Sequence, residues 1–507
     1  MSRPKQMMIG SLALMLTLVT ACSDGSTDKG TSSEGTTPKA GVKEERPTIS
    51  FMSILQTAET PDPKLEQALE ERLNVNLEIQ WVPAATYVDR LNAAFATGNL
   101  PAVSSITLDG PIKEAIRDGQ FWEIGPYLER FENLSKLKEE VMGNLKVDGK
   151  TYALYQGRPL SRQGIVYRKD WADKLGLAAP SNTEELFQML KQFTEGDPDG
   201  NGVNDTIGLA DRDDLTFGAF KTVASWFGAP NEWGFKDGEL TPAFMFPEYQ
   251  QAMDYMKDLR SNGYMNKDFP VTSKVDQLNM VTNGTAGVYV GCMCAVQQLY
   301  NDAVKLNPKA EFEVFNQIKG PSGEYTVWAI NGYNYSYLFP KSAIKTEEEM
   351  LQVLSFMNQL MSEEISNLLI WGMEGEHYNV VDGVAVPIED QAKIDREVYP
   401  YMFFELGEPE TNGRLSGTSS YEPANKAMAL FADNDQYVVS DPTITLDSDT
   451  LTLNRDRLRQ IINDATFNYM LGELDEAGFQ AEIDRWSREG GSKAIEELNA
   501  SYQAANP

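Results

Sequence analysis

The chain is poor in the residues that carry most metal and nucleophilic chemistry. It has one histidine, His377, and three cysteines, Cys22, Cys292 and Cys294. A single imidazole argues against a zinc site and against a Ser-His-Asp constellation, since each needs imidazole among defined partners. His377 reads as a satisfied, partly exposed residue. Three thiols are too few for a disulfide scaffold. In Gly-Val-Tyr-Val-Gly-Cys-Met-Cys a strand would turn Cys292 and Cys294 to one face, and a bond across one intervening residue would be strained, so both are expected reduced and partly buried. Cations are scarce as well: 44 Lys and Arg stand against 75 Asp and Glu, a formal charge of −31. That argues against nucleic acid as a partner, because phosphates need Lys and Arg. It also argues against lying flat on an anionic membrane. The acidity itself reads as solubility. Long apolar runs are missing, apart from one at the start.

That run, Met7 to Leu18, follows Arg3 and Lys5 and precedes Val19-Thr20-Ala21-Cys22. It falls short of the roughly 20 residues that span a bilayer. It fits a secretory apolar region with a small-residue cleavage site, and it resembles a bacterial lipobox. The resemblance implies a signal peptide over residues 1–21 and acylation of Cys22 as the mature N-terminus. Two or more chains are needed because one holds a protein only marginally. The alternative is an ordinary signal peptide with Cys22 incidental. Residues 23–45 have only Ala40 and Val42 as hydrophobics. Such a stretch cannot offset its ordering entropy, so residues 22–45 read as a flexible tether and the folded body begins at Arg46.

Beyond Arg46 the periodicity alternates. Pro47–Leu55 reads as a strand, Asp62–Leu73 as a helix, Val75–Val82 as a strand, Tyr87–Phe95 as a helix and Val103–Leu108 as a strand. Strands alternating with helices imply a mostly parallel sheet covered on both faces. Ser181-Asn182-Thr183-Glu184 resembles a capping box before the stripe Leu186, Met189, Leu190 and Phe193. The C-terminal part is more helical. Leu458, Ile461, Ile462, Ala465 and Tyr469 form one stripe, and Phe479, Ile483 and Trp486 a second, stopped by Gly490-Gly491.

The sharpest chemical motif is Asp197-Pro198-Asp199-Gly200-Asn201-Gly202-Val203-Asn204-Asp205-Thr206. It begins like an EF-hand loop. Asp197, Asp199 and Asn201 offer side-chain oxygens at alternate positions, Gly202 allows the sharp turn, Val203 offers its carbonyl, and Asp205 follows. Clustered carboxylates repel unless a hard cation such as Ca²⁺ binds. Gly208 stands where a sensor would carry its bidentate Glu, so a structural Ca²⁺ that pins the loop is the expectation. The alternative is an acidic turn without metal.

The segments around this loop resemble extracellular solute-binding protein family 1 of ABC transporters, and within it the large calcium-containing lipoproteins and the alginate-binding proteins. The resemblance rests on Ala96-Thr97-Gly98-Asn99-Leu100-Pro101, Tyr167-Arg168-Lys169-Asp170-Trp171, Gly284-Thr285-Ala286-Gly287-Val288-Tyr289, Trp371-Gly372-Met373-Glu374-Gly375-Glu376-His377-Tyr378 and Gly490-Gly491. It implies an α/β chain of the type II periplasmic-binding fold, two lobes joined by hinge strands with a helical C-terminal part. The N-lobe would take 46–163 and 329–387. The C-lobe would take 164–328, with the calcium loop at 197–206, and 388–507. Crossings are expected near Leu160–Val166, Tyr325–Asn331 and Asp382–Ile388. The family's metal ligands fall on Asp197, Asp199, Asn201, the Val203 carbonyl and Asp205, with Thr206 next in order where relatives often carry Glu.

The resemblance also implies a function. The protein would be a monomeric, lipid-anchored capture protein on the outer face of a Gram-positive type membrane, handing an oligosaccharide to permease subunits without covalent chemistry. Sugar clefts combine flat aromatics with polar groups that make paired hydrogen bonds. Candidate contacts are Asp109 at a strand's carboxyl end, Arg158 beside the first crossing, Trp226 and Trp233 in a loop-like stretch, and Trp328, Asn331, Tyr333 and Tyr335 at the second crossing. Each has core packing or an interlobe strut as its alternative. A peptide, a uronate-rich fragment or a lipid-derived solute is the other ligand reading. A surface glycoside hydrolase using two carboxylates and a calcium-stabilised adhesion protein are the rival classes.

Overall fold

The computed structural model describes residues 46–57 and 59–506. The signal peptide, the tether and Cys22 lie outside the described residues. Among those described, no helix is long and apolar enough to cross a membrane.

Two sheets organise the body. The first has five strands in the order 76–83, 48–55, 103–105, 333–338, 153–157. Its first three strands are parallel, and 333–338 runs antiparallel to both of its neighbours. The second sheet has four strands in the order 312–315, 163–168, 286–292, 207–210. Here 286–292 is parallel to 207–210 and antiparallel to 163–168. Each sheet has its own core. Phe51, Val103, Tyr155 and Tyr337 are buried in the first. Trp171, Phe193, Val288 and Trp226 are buried in the second, together with the stripes Leu458–Tyr469 and Phe479–Trp486.

The local elements follow the periodicity. Lys64–Leu73 buries Leu65, Leu69 and Leu73, one residue per turn. Thr183–Glu195 is capped one residue after the expected site: Asn182 accepts from the Glu185 amide, and the Glu185 carboxylate accepts from the Ser181 amide. The Tyr167–Trp171 motif proves structural. Buried Arg168 is held by both oxygens of Asp170, at 2.8 and 2.6 Å, and its guanidinium lies 4.6 Å from the Trp171 ring.

The chain passes between the sheets from Gly157 to Gln163 and again from Trp328 to Tyr333. The two passages are tied together, Arg158 N–H to Gly332 O at 2.9 Å and Ile330 N–H to Leu160 O at 2.8 Å. Gly332 has a φ of +81°, and a Cβ there would meet Val141 at 2.7 Å, so only glycine fits this hinge.

Two expectations are corrected. The lobe boundary at 387/388 falls too early. Residues 378–387 form a hairpin, and Tyr401, Phe404 and Leu406 belong to the first core. The chain rejoins the second lobe's side only by the helix Glu422–Asn434, where Ala427 and Phe431 pack with Val314. Second, Cys292 and Cys294 are joined in a disulfide. The strand ends at Cys292 and the chain turns at Met293–Ala295, which brings the two Cα atoms to 5.1 Å. The reduced reading assumed a strand that continues.

Candidate ligand cleft and metal loop

Register places the carboxyl ends of both sheets at the hinge. Gly157 pairs with Tyr333 where the first crossing leaves, and Cys292 pairs with Gln163 where it arrives. Ala210, parallel to Tyr289, ends at the same side. Open α/β sheets bind ligands at such ends.

On the second-lobe side, strand 207–210 runs into a loop fixed by its own acids. Asp211 is buried and its carboxylate accepts from the Ala219 amide at 2.9 Å. Burial pushes that carboxyl up to about 6. Asp214 accepts from the amides of Thr216 and Phe217 at 3.0 and 2.9 Å. The loop thereby presents Phe217, 48 % exposed, against Trp328, with ring centroids 5.8 Å apart. Trp328 itself is 3 % exposed. Its indole N–H donates to Thr222 Oγ1 at 3.1 Å, and the Lys221 ammonium stands 4.6 Å from its ring. Lys221 pairs with Glu232. Asp441 lies within range of both charges, and burial pushes it up to about 6.

On the first-lobe side, Tyr335, Phe403 and Tyr399 form an aromatic chain with centroids 5.5 and 5.9 Å apart. Tyr399, at its end, is 38 % exposed. Tyr335 is half-buried, and burial raises its phenol. At the hinge the Asn331 carbonyl accepts from Asn144 Nδ2 at 3.1 Å, and Asn331 Nδ2 donates to the Tyr333 hydroxyl at 3.4 Å. Half-buried Arg158 lies within electrostatic range of the neutral Tyr335 phenol, and burial lowers its guanidinium's pKa.

An exposed aromatic beside the strand ends of each lobe and a polar hinge between them are the candidate ligand groups. Residues 64–373 match the family described as bacterial extracellular solute-binding protein. The chain belongs to that family. It is 40 % identical over 482 residues to the polygalacturonan/rhamnogalacturonan-binding protein YtcQ of Bacillus subtilis, covering 94 % of this chain and 95 % of that one. It is 30 % identical to the lipoprotein LipO of the same organism over 98 % of both. Its fold matches a solute-binding protein of Bifidobacterium longum infantis with a TM-score of 0.70 at 19 % identity, covering 90 % of this chain and 99 % of that one. It also matches the Streptococcus pneumoniae substrate-binding protein FusA, solved as an EF-hand mutant, with a TM-score of 0.61 at 16 % identity and coverage of 90 % and 99 %. YtcQ and FusA are thus binding proteins, LipO is a lipoprotein, and an EF-hand occurs in FusA.

Within this solute-binding protein the nominated contacts divide. Arg158, Asn331, Tyr333 and Tyr335 gather at the hinge and the first rim. Trp328 is buried behind Phe217. Asp109 is exposed but caps the helix Gly110–Arg117, accepting from the Ile112 amide at 3.1 Å. Trp226 and Trp233 are corrections: they are 1 % and 9 % exposed and belong to the second core. The helix Ala219–Trp226 ends inside that stretch and turns Trp226 inward, and Trp233 opens the strand Trp233–Lys236 at its other end. Phe217, Tyr399 and Phe403 went unnominated. A rule that follows every strand to its carboxyl end would have reached Phe217; for the other two, the aromatic run Tyr399–Phe404 was the available signal.

In the metal loop, Asp199 accepts from Asn201 Nδ2 at 2.7 Å and Asp205 from the same nitrogen at 3.2 Å. Asp197 accepts from the Gly202 amide at 3.3 Å, and the Val203 amide donates to Asn201 Oδ1 at 2.6 Å. Oxygen donors of the kind a hard cation takes are therefore gathered in one turn. Thr206 is the correction. Its hydroxyl is buried and donates to Phe193 O at 2.8 Å, away from the loop.

His377 is fully buried rather than partly exposed. Its Nδ1 accepts from the Met373 amide at 2.9 Å, so Nε2 carries the proton and donates to Glu397 at 3.1 Å. With both nitrogens engaged, His377 has no free lone pair for a metal, and Glu376 is paired with Lys64 and Lys393, so the cluster holds a turn together.

Proposed function

We propose that this protein captures a galacturonate-containing oligosaccharide between its lobes and delivers it intact to the permease of an ABC importer. The observation that carries this reading is the pair of aromatic rims, Phe217 on Trp328 and Tyr399 on Phe403, at the strand ends beside the hinge. Flat rings take the C–H faces of sugars, while hinge groups take hydroxyls and acids. The pectic ligand named for YtcQ supports the choice of sugar. Capture works by closure: contacts to both lobes lower the closed state relative to the open one, by as much as the difference in affinity. No covalent step is needed. Acylated Cys22 would keep the protein at the outer face of the membrane, near the permease. Ca²⁺ held by Asp197, Asp199, Asn201, the Val203 carbonyl and Asp205 would neutralise the loop's acids and pin the end of the helix Thr183–Glu195.

The test is thermal unfolding of the full chain with trigalacturonate, a rhamnogalacturonan tetrasaccharide, galactotriose and a peptide mixture, with product analysis. A ligand that binds only the native state raises the midpoint. A rise with intact pectic sugar is the expected result. Cleaved sugar would replace this reading with a glycoside hydrolase, and a rise with peptide alone would replace the ligand.

A further inference from the structure

Arg158 stands at the hinge without a counter-ion among the described residues. Acids outnumber bases 75 to 44, so a cation is seldom far from a carboxylate. The two fully buried arginines each have one, Arg168 with Asp170 and Arg212 with Asp214; of the half-buried ones, Arg414 pairs with Glu405 and Arg260 donates to the Leu471 carbonyl. Arg158 is half-buried and forms no ion pair and no side-chain hydrogen bond among the described residues. A guanidinium offers five donors in a fixed fork and no acceptor. Leaving it partly desolvated and unmatched is costly unless something arrives to match it.

Its position is fixed from both sides. The Arg158 amide donates to Gly332 of the opposite crossing at 2.9 Å, and Pro159 restricts the next φ. The side chain therefore starts from the hinge, where it stays in place as lobes move. Tyr335, whose ring meets Phe403 of the first rim, lies close enough to Arg158 for the two groups to influence each other electrostatically. Asn331 and Tyr333 lie one crossing away and offer neutral hydrogen-bonding groups.

We infer that Arg158 is the specificity-determining residue that reads a uronate carboxylate, so that the cleft takes the free acid of a pectic fragment and discriminates against its methyl ester. The inference rests on the oligosaccharide reading above and deepens it. A carboxylate accepts two parallel bonds from the fork, and esterification removes the charge and one acceptor geometry at once. The ester keeps every ring face and hydroxyl, so the aromatic rims bind it as before. Acid–ester discrimination then isolates the arginine from the rest of the cleft.

The experiment is calorimetric titration of the full chain with trigalacturonate and with its methyl ester. Wild type, Arg158→Gln and Arg158→Lys are compared, and melting midpoints serve as the folding check. Wild type is expected to prefer the acid by about 30-fold or more, the scale of one partner lost from a desolvated charge pair. In Arg158→Gln that preference falls to about threefold or less, with ester affinity nearly unchanged. Arg158→Lys, which keeps the charge and loses the fork, falls between. Equal binding of acid and ester by wild type overturns the inference without any variant. So does Arg158→Gln weakening both ligands alike, which makes the residue a hinge strut. Should the Gln variant fail to fold, the wild-type pair and the Lys variant carry the test. Wild type binding neither form overturns the oligosaccharide reading itself, an outcome distinct from the other two.

Discussion

Phe217 lies across Trp328 with centroids 5.8 Å apart and planes inclined by 60°, and it is the half of the pair that solvent reaches. The division of labour follows from burial. Trp328 is held by Thr222 and Lys221 and cannot be cut back without a cavity, which for a buried Trp costs about 3–5 kcal/mol. Phe217 can be removed more cheaply. Phe217→Ala should shift stability by less than about 1 kcal/mol yet weaken oligosaccharide binding about tenfold, through the lost ring face. Titration calorimetry and a melting curve on the same preparation check this. Unchanged affinity would move the sugar away from this rim.

The metal loop makes a prediction that needs no sugar. Asp199 and Asp205 now share one amide nitrogen of Asn201, a weak substitute for a divalent cation. A bound Ca²⁺ at a thousand times its dissociation constant adds about 4 kcal/mol to native stability. Chelator should therefore lower the wild-type melting midpoint, and added Ca²⁺ should restore it. Asp199→Ala should melt like chelated wild type and ignore both additions. A wild type indifferent to chelator would make the loop a plain acidic turn.

A third prediction concerns how the lobes are held. Lys113 and Arg117 lie on a helix whose Ile112 and Ile116 belong to the first core. Both reach Asp447, beside Leu446 of the second lobe, and Lys113 does so at 2.9 Å. Asp447 is partly exposed, so the pair is worth only about 1 kcal/mol. Asp447→Ala should weaken ligand binding about fivefold, mainly through faster release. It should also enlarge the radius of gyration of the free protein in solution scattering. An unchanged radius with unchanged release would mean that this contact plays no part in closure.

The hits and misses in the sequence have physical causes. Lys64–Leu73 and the stripe Leu458–Tyr469 were legible because one buried face repeats every turn. The hinge near Arg158 and Asn331 came from the family resemblance, whose motifs bracket it. Trp226 was misplaced because Trp-Phe-Gly-Ala-Pro signals a break one residue too early. Phe217 was hidden because Asp-Arg-Asp-Asp reads as a solvated turn and the strand before it has only four residues. The late lobe boundary depends on Phe404 meeting Phe51, at 4.2 Å between centroids across most of the chain. No local pattern reports such a contact. The Cys292–Cys294 bond was missed for a similar reason, since it needs a turn that hydrophobic alternation does not reveal.

The last prediction follows from two acids that burial holds partly protonated. Asp211 and Asp441 are each pushed up to about 6, with desolvation as the leading cause. Unfolded, each returns to an ordinary Asp value near 4. Between those values the native state binds more protons than the unfolded state, so stability falls as pH rises through that window. Below it both states are protonated and the penalty vanishes; above about 6 the penalty is complete, up to about 3 kcal/mol per group. Asparagine keeps an oxygen acceptor for the Ala219 amide and for Thr443 but cannot ionise. The difference in unfolding free energy between Asp211→Asn/Asp441→Asn and wild type should therefore grow in the variant's favour from pH 4 to pH 7. Taking the difference cancels the surface carboxylates common to both proteins. Urea unfolding at several pH values measures it, and a difference that stays flat with pH would show that both acids ionise normally in the fold.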